Sequence, residues 1–283
     1  MSSAKGLTRT QLLAESWTTV AQQYEKRLAP LFQPWLDQLV GAVDAGQLPE
    51  GPVIVPACGP GIELLMLARA IPGERQVIGI DLAQGMVDVA QARLQACSDS
   101  LLRQRVSACA GDACKLAGFG PPPALIFSCF GLQQMPEPQE VLLGWLAALE
   151  PGGLLAVAYW PPPAGQREIA FSSLTDPGLL KGGAMGQPAW DEEISSRIME
   201  AGGDLLIDDS PNHNMAFDSP AECFEVMMDA GPLHSRLLRY GPEHMQTLKN
   251  SYCKRFRRTG SGFVISPNAR RLIIRRQSIR SAL

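Results

Sequence analysis

The stretch Val53–Gly61, Val-Ile-Val-Pro-Ala-Cys-Gly-Pro-Gly, limits what this chain can fold into more than any other segment. Its β-branched run predicts a short buried strand, and the apolar residues that recur after Gly61 predict a helix. Strand, glycine turn and helix make half of a βαβ unit. Gly59 and Gly61 let the backbone pass close to a ligand, and the helix start offers unpaired N–H groups. We therefore expect a small ligand with a nucleotide or carboxylate part at this turn.

The rest of the chain alternates between strand and helix patterns, which predicts an α/β fold with a largely parallel sheet. The predicted strands are Val53–Ala57, Gln76–Ile80, Arg105–Ala110, Ala124–Ser128, Leu154–Trp160, one within Asp204–Phe217 and a last one within Gly262–Arg276. The predicted helices are Thr10–Ala45 with breaks near Pro30 and Pro34, Gly61–Ile71, Ala83–Cys97, Pro138–Leu149, Trp190–Ala201, Pro220–Ala230 and Pro242–Arg258.

Composition excludes several classes of protein. With 283 residues and 46% hydrophobic content the chain can bury a full core, and we expect one domain with helical additions. Without an apolar run of about 18 residues we expect no membrane span. The polar segment Met1–Gly6 lacks the apolar core of a signal peptide, so we expect a cytoplasmic protein. Seven cysteines without a Cys-x-x-Cys pair, and only three histidines, argue against a disulfide framework and a metal site.

The net charge of −3 conceals a basic end, because no acidic residue follows Glu243. This end could attract an anionic partner such as RNA. Alternatively, it pairs with the acidic stretch between Asp191 and Asp229, an interpretation favoured by the few aromatic residues among the basic ones. The basic residues are Lys249, Lys254, Arg255, Arg257, Arg258, Arg270, Arg271, Arg275, Arg276 and Arg280.

Two carboxylates end the strands that follow the glycine turn. Asp81 closes the second predicted strand, where a carboxylate can accept hydrogen bonds from a ribose diol. Asp112 follows the third and can accept from an adenine amino group, with Met86 against the ring. A dinucleotide site would need a small residue at the position of Leu64, so the pattern favours an adenosine without a pyrophosphate.

With these motifs, the chain resembles the class I S-adenosylmethionine-dependent methyltransferases, in particular the small-molecule branch of ubiquinone and menaquinone methyltransferases. The matching stretches are Val53–Gly61, Val77–Met86, Ala110–Ala113 and Leu149–Gly153. The resemblance implies a Rossmann-like seven-stranded sheet, mostly parallel with an antiparallel last strand, helices on both faces and an N-terminal helical lid. It also implies S-adenosyl-L-methionine as cofactor, bound by Ala57, Cys58, Gly59, Gly61, Asp81, Leu82, Met86, Gly111, Asp112, Ala113 and Ser128.

Two positions depart from the family pattern. Val55 stands where the family usually has an acidic residue, and Ala57 stands where it usually has glycine. The usual acid helps to hold the amino group of the cofactor. Glu63 or a backbone carbonyl could take over that contact.

The resemblance leaves the methyl acceptor open. We expect its contacts to come from the crevice edge and the leading helices: Trp17, Tyr24, Phe130, Gln134 and Trp160. Aromatic residues there could surround a cationic or planar acceptor, or simply close the pocket. No residue has the sequence pattern of a general base, and the histidines His213, His234 and His244 remain candidates.

The sequence thus predicts four segments and one leading function. Residues 1–50 are a helical segment covering the active site, 51–160 the cofactor-binding core, 161–203 a lid or connection with the glycine-rich Lys181–Gly186, and 204–283 the part that completes the sheet and substrate pocket. We expect methyl transfer to a small molecule. The alternatives are an RNA methyltransferase that uses the basic end, an inactive cofactor-binding partner subunit, and an arsenic methyltransferase based on Cys109, Cys114 and Cys129.

Overall fold

The computed structural model describes residues 7–163, 165–176, 189–257 and 262–278. The chain forms two compact units, which we call the helical unit and the sheet unit. The helical unit comprises Met1–Pro34, Pro161–Ala189 and Asn212–Asn268, and the sheet unit comprises Trp35–Trp160, Trp190–Pro211 and Ala269–Leu283. The predicted glycine-rich segment Lys181–Gly186 lies outside the described residues, as do Arg258 and Arg280.

The strands, in chain order, are β1 (Val53–Pro56), β2 (Val77–Asp81), β3 (Val106–Ala110), β4 (Leu125–Cys129), β5 (Leu154–Tyr159), β6 (Gly203–Asp209), β7 (Met215–Phe217), β8 (Phe263–Ile265) and β9 (Arg270–Arg276). The helices are α1 (Arg9–Gln23), α2 (Gln33–Gly41), α3 (Ile62–Ala70), α4 (Gln84–Gln95), α5 (Ser100–Arg105), α6 (Pro138–Ala148), α7 (Ile169–Thr175), α8 (Ile194–Glu200), α9 (Pro220–Met227), α10 (Gly231–Tyr240) and α11 (Pro242–Arg255).

The sheet unit is built on a seven-stranded sheet of order β3-β2-β1-β4-β5-β9-β6. Neighbours among β1 to β5 pair in parallel, and β9 lies antiparallel between β5 and β6. The predicted fold class, a mostly parallel Rossmann-like sheet with an antiparallel last strand, is therefore confirmed.

The central strands are buried on both faces, which explains their nearly continuous apolar sequence. Val53 and Val55 of β1 pack into one apolar cluster with α3 and α4, whereas Ile54 between them packs into another with α6 and α8. This alternation follows from the two-residue period of a strand. Helices therefore cover both faces of the sheet. Polar side chains that could bind a ligand lie at the ends of the strands.

The helical unit contains a packed helix pair and a small second sheet. Helix α1 packs on α10, where Ser235 Oγ donates to Ser16 Oγ over 2.8 Å. The indole of Trp17 covers Gly231, since a Cβ on that glycine would lie 2.5 Å from ring atoms. Strands β7 and β8 pair antiparallel.

Several elements differ from the sequence-based expectation. The strand expected within Asp204–Phe217 is two strands, β6 and β7, and the last strand expected within Gly262–Arg276 is also two, β8 and β9. Between β8 and β9, the backbone and side chain of Asn268 bond to Gln166, Arg167 and Gly165. Helices α5, α7 and α10 were not predicted, since α5 and α7 are short and α10 begins with a Gly-Pro pair typical of turns. The expected break near Pro30 is present as a change of winding, with a π-helix at Tyr24–Leu28 and a 3-10 helix at Ala29–Phe32.

Within the described ranges, no helix combines the length and the apolar character needed to cross a lipid bilayer.

Candidate functional site

The carboxyl ends of β1 to β4 meet along one edge of the sheet. Strands β1 and β4 are neighbours, although β2 and β3 lie on the other side of β1. Such a reversal of strand order opens a crevice at the strand ends, where ligands bind in open α/β sheets. The crevice edge of this protein is therefore formed by the turns after β1, β2, β3 and β4.

Asp81 connects two of these turns. Its Oδ2 accepts a hydrogen bond from the backbone N–H of Gly59 over 2.8 Å, and its Oδ1 accepts one from the N–H of Ala83 over 2.9 Å. Burial raises the pKa of the Asp81 carboxyl, and the N–H groups of Ala83, Gly59 and Leu82 partly offset this by stabilising the charge. A carboxylate thus stands at the end of β2, directly against the glycine turn.

The two glycines of the turn, Gly59 and Gly61, have different surroundings. Gly59 and Gly61 both have left-handed backbones, with φ of +50° and +72°. A Cβ on Gly61 would lie 2.9 Å from the Cβ of Ala90, so this glycine lets α3 pack against α4. A Cβ on Gly59 would meet no atom within 4 Å. The side of Gly59 on which a side chain would lie is therefore unobstructed, and a ribose beside Asp81 stays a prediction.

The predicted residues after β2 and β3 lie on adjacent strand ends. The Gly111 N–H donates to the Asp81 carbonyl over 2.9 Å. Asp112 is exposed, and its Oδ1 accepts from the Cys114 N–H over 3.0 Å. Leu82 is 41% exposed, whereas Met86 and Ala113 are buried. Exposed Leu82 and Asp112 are therefore the side chains of this group most open to a ligand.

Cys58 and Ser128 form hydrogen bonds that connect neighbouring strand ends. The Cys58 N–H donates to the Ile80 carbonyl over 3.1 Å, and the Ser128 hydroxyl donates to the Pro56 carbonyl over 3.1 Å. Both side chains are buried. Their structural role is to hold the ends of β1, β2 and β4 together, and their contact with a cofactor stays a prediction.

Two non-glycine residues at this edge have left-handed backbones. Ala57 after β1 has a φ of +53°, and Phe130 after β4 has a φ of +61°. Gly131, the residue after Phe130, lies close to Ala57, and a Cβ on it would lie 2.6 Å from the Ala57 Cβ. Backbone strain of this kind persists only where surrounding structure enforces it, and it concentrates at functional sites.

Comparison with known proteins agrees with this geometry. The family described as "Methyltransferase domain" matches residues 53–153, the stretch from β1 to the start of β5. Residues 53–153 form a methyltransferase domain. The methyltransferase prediction made from the sequence is thereby confirmed for these residues. S-adenosyl-L-methionine, the cofactor expected from the sequence, is the one bound in the structural neighbour from Synechocystis described below. The narrower likeness to ubiquinone and menaquinone methyltransferases stays a prediction.

Several solved structures have the same fold as this chain. Magnesium protoporphyrin IX methyltransferase from Synechocystis PCC 6803, with bound SAM, is 14% identical with a TM-score of 0.55, covering 96% of this chain and 99% of its own. A Bacillus halodurans C-125 protein named as a methyltransferase is 17% identical with a TM-score of 0.55, covering 86% and 99%. YcgJ from Bacillus subtilis is 13% identical with a TM-score of 0.56, covering 86% and 98%. A search among functionally curated proteins found no match.

An aromatic cluster at the edge of the methyltransferase domain includes two predicted acceptor contacts. The rings of Phe130 and Trp160 stack with centroids 3.9 Å apart and planes at 7°. Trp35, which sequence reasoning did not select, packs edge-on against both, with centroids 6.0 and 5.2 Å away, and its Nε1 donates to the Pro211 carbonyl. This cluster could not be predicted from local sequence, because Trp35 is far from Phe130 and Trp160 along the chain.

The other predicted acceptor contacts have different surroundings. Gln134 is half-buried in a short 3-10 turn, and its neighbour Gln133 donates to the Phe130 carbonyl over 2.6 Å. The buried Gln133 Oε1 has no partner among the described residues. Trp17 and Tyr24 belong to the helical unit, where their rings meet edge to face at 5.2 Å. Their contact with an acceptor stays a prediction.

The basic residues near the end of the chain are engaged within the protein. Arg270 forms ion pairs with Asp191 and Asp208, and Arg271 forms one with Asp209. Arg275 donates to backbone carbonyls of Gln47 and Gly152, Arg276 to those of Ala147 and Leu149, and Lys249 pairs with Glu225. These contacts favour internal pairing with the acidic stretch, and nothing in them supports the RNA hypothesis.

Thiols and imidazoles offer little to a metal ion. In the part of the chain that the structure describes, no three His, Cys, Asp or Glu side chains are grouped to hold one. All seven cysteines are free, and burial raises the pKa of the Cys109, Cys114 and Cys129 thiols, which keeps them protonated. Protonated thiols bind soft metals poorly, which counts against the arsenic hypothesis. Burial also lowers the pKa of His213 and His234, both in the helical unit.

Proposed function

We propose that this protein transfers a methyl group from S-adenosyl-L-methionine to a small-molecule acceptor by in-line displacement, leaving S-adenosylhomocysteine. The observation that carries the proposal is the Asp81 carboxylate fixed against the Gly59 N–H, with open space in front of Gly59, inside a matched methyltransferase domain. A carboxylate at such a strand end can accept hydrogen bonds from the hydroxyl groups of an adenosine ribose.

The bound cofactor would supply an electrophilic methyl group on a sulfonium centre. Transfer of that group depends on alignment and exclusion of water rather than on a strong base. In this chain, Asp81 and the Gly59 turn would fix the adenosine. Asp112 would accept from the adenine amino group, with Leu82 beside the ring. A general base would be needed only if the acceptor atom carries a proton.

The acceptor would meet the stacked Phe130 and Trp160 side chains. They follow β4 and β5, at the same edge of the sheet as the glycine turn, and both are half-buried. The flat aromatic face of these rings suits a planar or cationic small molecule. The unpartnered Gln133 Oε1, on a side chain that bonds to the Phe130 carbonyl, would offer such a molecule one hydrogen-bond acceptor. Magnesium protoporphyrin IX, the substrate named for one structural neighbour, is a planar molecule of this type.

Two measurements test the proposal. Isothermal titration calorimetry with S-adenosylmethionine and S-adenosylhomocysteine should show one site for each. Incubation with methyl-labelled cofactor and fractionated metabolite extracts should then move the label to a small molecule. Absence of cofactor binding would overturn the proposal, and binding without transfer to any fraction would favour an inactive partner subunit.

A further inference from the structure

Glu63 is a buried carboxylate beside the proposed adenosine site. It lies in the first turn of α3, two residues after Gly61, and only 7% of its surface is exposed. None of the ion pairs formed among the described residues includes it. An unpaired carboxylate is costly to bury, so such a group usually has a cationic partner or becomes protonated.

Glu63 follows the glycine turn closely in the chain, and it interacts electrostatically with groups at three strand ends. Its charge acts on Cys58 after β1 and on Cys129 at the end of β4. The charged groups that act on Glu63 in return are Asp81 and the more weakly coupled Arg93 of α4. Arg93 Nε is engaged with the Pro60 carbonyl over 3.0 Å. Its electrostatic interactions therefore involve residues at the ends of β1, β2 and β4, the strand ends beside the glycine turn.

The nearest strand offers no other acid. All four residues of β1, Val53–Pro56, are apolar and buried. The methionine tail of S-adenosylmethionine carries a positively charged amino group, and a buried carboxylate without an ion pair is complementary to it.

We propose that Glu63 binds the amino group of the methionine tail and so replaces the strand-one acid that this chain lacks. The inference rests on the proposed function, since it assumes that the adenosine part of the cofactor occupies the site beside Asp81.

The ionisation of Glu63 supports this assignment. Burial raises the pKa of its carboxyl from an ordinary value of 4.5 to about 8, and the charge of Asp81 adds to the effect. The free protein at pH 7 therefore holds a largely neutral Glu63. A cation that binds beside the carboxyl stabilises its charged form, so the complex must release a proton.

Calorimetry on the full chain tests the proposal with two ligands that share an adenosine. S-adenosylhomocysteine carries the amino-acid tail, and 5′-methylthioadenosine does not. We expect Glu63→Gln to weaken binding of S-adenosylhomocysteine at least tenfold and to leave binding of 5′-methylthioadenosine unchanged. Glu74→Gln, at an exposed position before β2, is the matched control and should alter neither.

Titrations at pH 7 in two buffers of different ionisation enthalpy give a second measurement. We expect the wild type to release close to one proton on binding S-adenosylhomocysteine, and Glu63→Gln to release almost none. Equal affinities or equal proton release in the two proteins would overturn the inference, as would a Glu63 that stays protonated in the complex. If the wild type binds neither ligand, the proposed function itself fails.

Discussion

The Asp81 carboxylate accepts a hydrogen bond from the backbone N–H of Gly59, with Asp81 Oδ2 and Gly59 N 2.8 Å apart. This bond joins the end of β2 to the turn after β1, so the acid that would bind the ribose also positions the glycine turn. Cofactor affinity and turn geometry therefore depend on the same side chain.

Replacing Asp81 with alanine should weaken cofactor binding well over tenfold. The substitution removes the carboxylate expected to bind the ribose and leaves the N–H groups of Gly59 and Ala83 without their acceptor. Calorimetry with S-adenosylhomocysteine measures the effect. Asp88→Ala, at an exposed position on α4, serves as the control, and an unchanged affinity for Asp81→Ala would show that the ribose assignment is wrong.

Substitution of Gly131 with alanine should destabilise the protein because of crowding between β1 and β4. The added Cβ would lie 2.6 Å from the Ala57 Cβ and 2.9 Å from Ser128 Oγ. We expect a loss of about 1–3 kcal/mol in the free energy of unfolding. Gly144→Ala within α6 meets no atom within 4 Å and should instead gain about 0.5–1 kcal/mol from helix propensity. Urea denaturation distinguishes the two, and equal shifts would contradict the packing described here.

Glu63 should make the stability of the free protein depend on pH. Its pKa of about 8 in the folded state lies above the ordinary value of 4.5, so its contribution is greatest below pH 4.5 and is lost as the pH rises through 8. Relative to Glu63→Gln, the wild type should lose on the order of 2–4 kcal/mol of unfolding free energy between pH 5 and pH 8.5. Denaturation of both proteins at several pH values measures this. A constant difference between them would show that Glu63 titrates normally.

Loss of Arg270 should destabilise the sheet unit strongly. Its guanidinium bonds to Asp208 and Asp191, and Asp191 also accepts from the buried Tyr159 hydroxyl over 3.0 Å. Arg270→Ala leaves these acids without a cation, at a cost of about 3 kcal/mol. Arg271→Ala breaks a more exposed pair with Asp209 and should cost about 1 kcal/mol or less. A similar cost for both in urea denaturation would show that the Arg270 network contributes no more than a surface pair.

Much of the site could be inferred from local sequence. The turn at Gly59, the acid at Asp81 and the acid at Asp112 each follow a strand that its own residues specify, and parallel strands end at one edge. Trp35 could not be found in this way. Its packing against Phe130 and Trp160 depends on a path of the chain that no local pattern encodes.

Sequence by itself determined the five parallel strands β1 to β5, the glycine turn and the acids that follow it, because these depend on short-range periodicity and backbone freedom. Only the tertiary structure decided three further features. It divided the stretch Gly262–Arg276 between two sheets, paired the basic end with Asp191, Asp208 and Asp209, and buried Glu63 beside Asp81. Charge pairing and burial depend on which distant residues become neighbours, and that information appears only when the sheet is assembled.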